Sequence, residues 1–133
     1  MHEFEVNVRF SETDALGHIN NTSYFIYLEE ARMKFFEALG LAMKVESWNF
    51  LLASTKCDFI AQGYFNQLLT IRSSLIKVGT KSCEMAHDIL CSQTGEVIAK
   101  GSEVLVFFNF LNQKSEPIPE MIKGKLISHL VEN

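Results

Sequence analysis

A chain of 133 residues, 47% hydrophobic and 21% charged, has the balance of one globular domain with a modest core. Its net charge of −4 and scattered basic residues exclude nucleic acid as the main partner, because neutralising phosphates needs a basic face. The longest apolar runs, such as residues 104–108, are too short to cross a bilayer, so no membrane partner is expected. The N-terminal MHEFEVNVRF lacks the basic start and apolar run of a signal peptide. With no sign of secretion, Cys57, Cys83 and Cys91 read as reduced thiols of a cytoplasmic protein. Neither a repeat nor a linker divides the chain, and residues 1–133 read as a single domain.

Along the chain, Phe4, Val6, Val8 and Phe10 alternate with Glu3, Glu5, Asn7 and Arg9, which predicts a half-buried strand. A small and polar stretch, residues 11–21, comes next. From Thr22 to about Leu39 the period becomes helical, with Tyr24, Leu28, Ala31, Phe35 and Ala38 on one stripe. Phe25, Ile26, Tyr27, Met33, Phe36 and Leu39 widen the stripe until most of the circumference is apolar, which predicts a helix enclosed by other structure. Gly40 is its stop. Beyond it the chain reads as strands: Phe50 to Ile60, then, after a turn at Gln62-Gly63, a strand containing Leu69 and Ile71. Its apolar phase shifts at Leu75-Ile76, predicting a bulge. Gly79-Thr80 turns the chain into Cys83–Cys91, and Thr94-Gly95 turns it into Val97–Phe110. The tail from Pro117 predicts a short, exposed helix. One strand, one apolar helix and a run of four long antiparallel strands make an α+β chain, most simply a curved sheet wrapped around the helix. One sheet covers only part of a helix, so its uncovered side and the sheet edge ask for a second copy.

The stretch RFSETDALGHINNTSYFIYLEEAR then carries a resemblance. Arg9, Asp14 followed by Gly17, the Asn20-Asn21 pair, Tyr24, and Glu29 with Ala31-Arg32 resemble the signature of the hot-dog-fold acyl-CoA thioesterases of the 4-hydroxybenzoyl-CoA thioesterase-like group. Gly79 with Ser82, then Thr94-Gly95-Glu96, and Lys114-Ser115 before Pro117-Ile118-Pro119 follow in the same order. The resemblance spans roughly residues 3 to 120 and implies a hot-dog fold that hydrolyses acyl-CoA. It also implies a homodimer joined sheet edge to sheet edge, or a tetramer of two such dimers, with active sites at the interface. Asp14 matches the acid that does the chemistry, and the Asn21 backbone N–H the group that faces the thioester carbonyl.

The residues support that chemistry independently. Thioester hydrolysis needs an activated oxygen and a holder for negative charge on the carbonyl oxygen. A carboxylate can attack directly or deprotonate a water. Asp14 is the acid inside the glycine-containing loop, and Gly17 lets the backbone pass close to a ligand. A helix start supplies free N–H groups and a favourable dipole, and losing one such donor costs about 3 kcal/mol of transition-state stabilisation. Asp, Asn and Ser before a helix are also ordinary capping residues, with Asn20 or Asn21 as the N-cap, and Asp14 alone reads equally as a turn residue.

Other residues receive narrower expectations. His18 either orients Asp14 and meets the acyl group or bonds to loop backbone. Lys81 and Ser82, in the turn after Gly79, are placed on the pantetheine or phosphates of coenzyme A; Tyr24 packs the helix or lines the acyl pocket. His87 shares a strand face with Cys83, Met85, Ile89 and Cys91, so it reads as a buried, hydrogen-bonded histidine. Glu29 and Arg32 pair along the helix. No His, Cys and Asp set has zinc spacing, so neither a metal nor a bound cofactor is expected, coenzyme A entering as part of the substrate. Two places depart from the resemblance: Gln62 or Gly63 stands where many relatives have proline, and Asn66 where they have aspartate. The Gly-His-Ile-Asn-Asn run is also similar to plant-type acyl-carrier-protein thioesterases. Leu16 replaces the asparagine those enzymes carry two residues after the acid, which favours acyl-CoA over carrier protein. A non-catalytic acyl-CoA sensor and a dehydratase of the same fold are the remaining alternatives.

Overall fold

The computed structural model describes residues 1–41 and 49–131. Strand β1 (His2–Asn7) leads through a short 3-10 turn (Phe10–Glu12) to helix α1 (Asn21–Ala38). Strands β2 (Phe50–Phe59), β3 (Leu68–Val78), β4 (Ser82–Cys91), β5 (Val97–Asn109) and the two-residue β6 (Lys114–Ser115) precede helix α2 (Glu120–Ser128). The sheet runs β1-β3-β4-β5-β2, with β6 on the end of β5 and every pairing antiparallel. The four long strands are thus not a simple run. Only β3, β4 and β5 follow one another as hairpins, while β2 lies at the far edge beside β5. The reason is that α1 separates β1 from β2 and carries the chain across the sheet.

Strand alternation places the core. On β4, Cys83, Met85, His87 and Ile89 are buried and the residues between them are less so. The expected bulge is present as a register shift between Leu75 and Lys77. Buried apolar residues form two clusters. One gathers Ile19, Tyr24, Leu28, Ile71, Ile89 and Ile98; the other gathers Phe35, Phe36, Leu75, Met85, Leu105 and Leu126. The terminal helix is short and largely exposed, as expected, and Leu126 is the residue it buries completely. α2 is tied down further by the Val131 N–H, which donates to the Leu75 carbonyl at 3.0 Å. On α1, Phe25 and Ile26 remain exposed, which is the side of the helix that one sheet was expected to leave uncovered.

Between the two clusters lies a buried polar chain from four elements. Ser73 Oγ on β3 meets His87 Nδ1 on β4 at 2.8 Å, and His87 Nε2 meets Glu103 Oε1 on β5 at 2.6 Å. The Arg32 guanidinium on α1 donates to the other Glu103 oxygen. Ser73, His87 and Glu103 are at most 3% exposed. His87 is therefore the buried, bonded histidine its spacing suggested. Arg32 reaches Glu29 only at 4.0 Å, and its short contact is to Glu103. A helix-surface pair could not have neutralised a guanidinium that the sheet covers.

α1 sits close to the sheet because Gly101 leaves room for it: a Cβ there would lie 2.6 Å from a Leu28 methyl. Gly101→Ala is expected to lose about 1–3 kcal/mol through overpacking. Glu103→Ala, which strands Arg32 and His87 without their acceptor, is expected to lose about 3–5 kcal/mol. Urea unfolding midpoints at constant m-value measure both.

Candidate active site

The polar stretch before α1 is a tightly bonded loop. Glu12 is its hub: its carboxylate accepts from the Arg9 N–H at 2.8 Å and from the Tyr27 hydroxyl at 2.9 Å. Its carbonyl accepts from the Asn20 N–H and the Ser23 hydroxyl, both at 2.9 Å. Burial and this carboxylate raise the Tyr27 hydroxyl pKa, so it stays a donor at neutral pH. The loop is thereby pinned to the first two turns of α1.

Within it, Asp14 does two things. Its Oδ1 accepts from the Leu16 N–H at 2.8 Å and the His18 N–H at 3.1 Å, while its own N–H donates to the His18 carbonyl at 2.8 Å. That is the turn role such a residue fills on its own. Its other oxygen, Oδ2, has no hydrogen-bond partner among the described residues, and Asp14 is exposed. Gly17 adopts φ of +81° with open space around its missing Cβ, so its requirement within the chain is conformational.

Asn20 is the N-cap: its side-chain oxygen accepts from the Thr22 N–H at 3.1 Å and the Thr22 hydroxyl at 3.0 Å. Asn21 is the first residue of α1, and its N–H has no acceptor among the described residues. Asp14, Asn20, Asn21, Ile19 and Tyr24 share a cleft of about 570 Å³ with Phe59, Ile60, Ala61 and Gln62. Tyr24 is buried, and its ring meets that of Phe59 at 5.2 Å. Burial, reinforced by nearby Cys57, raises its pKa, so this hydroxyl too is neutral. Burial likewise pushes the Cys57 thiol up to about 11, where it is no nucleophile at neutral pH.

Asp14, Asn20, Asn21 and Tyr24 are thus brought together, with Gly17 shaping the turn. His18 contributes its backbone to Asp14, but its ring packs edge-on against Tyr64 at 5.2 Å and is not among the cleft walls. Lys81 and Ser82 are not brought to Asp14 within the chain. Their turn is held to the C-terminal segment, the Lys81 carbonyl accepting from Phe107 N–H and the Thr80 carbonyl from Ile118 N–H. Asp14's loop packs at the other end of the strands, where Ile19 meets Gly63 and Ile98. The ten residues of β4 put about 30 Å between those ends. The wall from Phe59 to Gln62 was not singled out in the sequence. Its one signal was Gly63, where any Cβ would collide with the Ile19 side chain.

The cleft thus brings a carboxylate with one oxygen unpartnered among the described residues to the start of a helix, on the antiparallel sheet of a hot-dog fold. The thioesterase-like superfamily matches residues 8–126, and the chain belongs to it. Thioester hydrolysis in general is the activity this membership supports. The fold is similar to that of a predicted thioesterase from Bacillus stearothermophilus, with 31% identity and a TM-score of 0.91 over 98% of this chain and 97% of that one. It is also similar to a thioesterase from Thermus thermophilus in complex with coenzyme A and Zn, with 28% identity and a TM-score of 0.83 over 95% and 92%. In sequence the chain is 26% identical to the long-chain acyl-CoA thioesterase FadM of Escherichia coli, over 92% of this chain and 94% of that one. Among the described residues, no three His, Cys, Asp or Glu side chains converge as metal ligands, and no helix is long and apolar enough to cross a membrane.

The cap and the cleft share a residue, which gives a separable effect. Asn20→Ala is expected to cost about 1 kcal/mol of stability, whereas Asn20→Asp retains the capping oxygen and is expected to keep it. Thermal unfolding of the two variants measures the difference.

Proposed function

We propose that the protein hydrolyses acyl-CoA thioesters to the free acid and coenzyme A, with coenzyme A entering only as part of the substrate. The observation that carries this is the division of labour at Asp14: one oxygen is held by two amides, the other has no hydrogen-bond partner among the described residues, and Asp14 lines the same cleft as Asn21. The thioester carbonyl oxygen accepts from the Asn21 N–H, where the helix dipole favours the negative charge that develops there. Asp14 Oδ2 then has two balanced courses. It attacks the carbonyl carbon, expels the coenzyme A thiolate and leaves a mixed anhydride that water opens; or it takes the proton from a water that attacks the same carbon. Either way the thiolate leaves and the acid is released.

Asp14→Asn tests the role with the fold held constant, because an amide oxygen still accepts from Leu16 and His18. Turnover in a free-thiol release assay is expected to fall by about 10²–10⁴ while the melting temperature is unchanged. Near-normal release by Asp14→Asn would show that the turn, not the carboxylate's reactivity, is what the site needs. Tight acyl-CoA binding with no release by the unaltered protein would make it a sensor.

The working form is proposed to be a homodimer, alone or paired into a tetramer, in the cytoplasm. Its support is β2, which pairs on one side only among the described residues, is exposed along nearly its whole length and leaves Leu51, Leu52 and Phe59 exposed, as α1 leaves Phe25 and Ile26. A long, apolar, unpaired edge calls for a partner strand. Leu52→Lys is expected to shift the mass measured by light scattering toward the monomer.

A further inference from the structure

On the inner face of β2, Cys57 pairs with Gly101 and Phe59 with Ala99, two small residues of β5. The space over Gly101 is already filled, since Leu28 occupies it and is fully buried. Tyr24, one turn earlier on α1, closes the helix side, its hydroxyl resting against the backbone of Gly63. What remains is filled by the Phe59 ring, tilted 43° to Tyr24 at 5.2 Å. The cleft that Asp14 and Asn21 line is thus walled by Phe59 as well, and the core next to it is packed.

Phe59 is unusual for its position. It points to the apolar side of the sheet, yet it is 49% exposed and belongs to neither core cluster. A large apolar ring left half open in the wall of a cleft gains its remaining burial from whatever the cleft holds.

We propose that Phe59 sets the acyl specificity of this site: its ring caps the length of the acyl group, so that compact acyl chains are taken and long unbranched ones refused. The proposal rests on the thioesterase reading of the same cleft. It adds which residue selects the substrate, and by what contact. Shortening the ring extends the cleft along Tyr24; enlarging it shortens the cleft.

The test is free-thiol release across saturated acyl-CoAs from acetyl to palmitoyl by the unaltered protein, Phe59→Ala and Phe59→Trp. Binding of the matching non-hydrolysable S-alkyl-CoA thioethers is measured in parallel. The unaltered protein is expected to favour the short members. Phe59→Ala is expected to raise the long-to-short ratio of kcat/KM by about tenfold or more, and Phe59→Trp to lower it. Thioether affinities are expected to move the same way. Variants that melt at the unaltered temperature and keep the unaltered ranking would overturn the proposal. A changed oligomer with an unchanged ranking would also overturn it and assign Phe59 to a subunit contact. If no acyl-CoA is cleaved, the hydrolase reading fails by itself. The thioether series then still decides: a ranking that shifts with residue 59 supports the cap, and one that does not removes it.

Discussion

One buried hydrogen-bonded chain, Arg32 to Glu103 to His87 to Ser73, ties α1 to three strands at once. Arg32 donates to one Glu103 oxygen, and the two ring nitrogens of His87 meet the other Glu103 oxygen and the Ser73 hydroxyl. Hydrogen-bonded partners of this kind are the condition under which buried polar groups are tolerated. Apolar packing on either side of this chain would allow α1 to slide or rotate by a residue. A carboxylate that must meet both an arginine and a histidine does not.

The site depends on that registration. A helix is stiff over five turns, so fixing Arg32 in its middle also fixes Asn21 at its start. The loop before it is fixed in turn by Glu12, which bonds to Tyr27, Ser23 and Asn20 of the same region. Asp14 then has little freedom left. Its turn hydrogen bonds, which would be a complete explanation of an ordinary loop aspartate, use one oxygen and leave the other without a partner among the described residues. The turn role and the proposed reactive role of Asp14 thus fall on two oxygens of one group.

The same geometry bears on the proposed dimer. α1 packs on the sheet, but β2 at the sheet edge meets it at its two ends, where Phe50 stacks on Phe36 and Phe59 lies against Tyr24. The cleft lies at that thinly covered corner, between the helix start and the end of β2. A second copy laid along β2 would bury Leu51 and Leu52 and wall the cleft's open side.

Neighbouring residues were enough to read the elements and the reactive loop. Alternation and helical spacing are local, so β1, α1, the bulge in β3 and the two hairpin turns were all legible along the chain. Asp14, Asn20 and Asn21 lie within eight positions of one another, so their grouping at the helix start was legible too. Contacts between residues far apart in the chain came from the folded structure alone. Glu103 falls in phase with Gly101 and Leu105 on the buried face, and Arg32 in phase with Leu28 and Phe35, yet nothing local says that the two meet across 71 positions. Phe59 looked like one more strand residue until β2 was placed at the edge beside β5, with Tyr24 opposite. That Lys81 and Ser82 lie at the other end of the sheet from Asp14 of the same chain also came only from the strand pairing. Pairing order is set by which edge the helix crosses to, a long-range choice that local spacing does not encode.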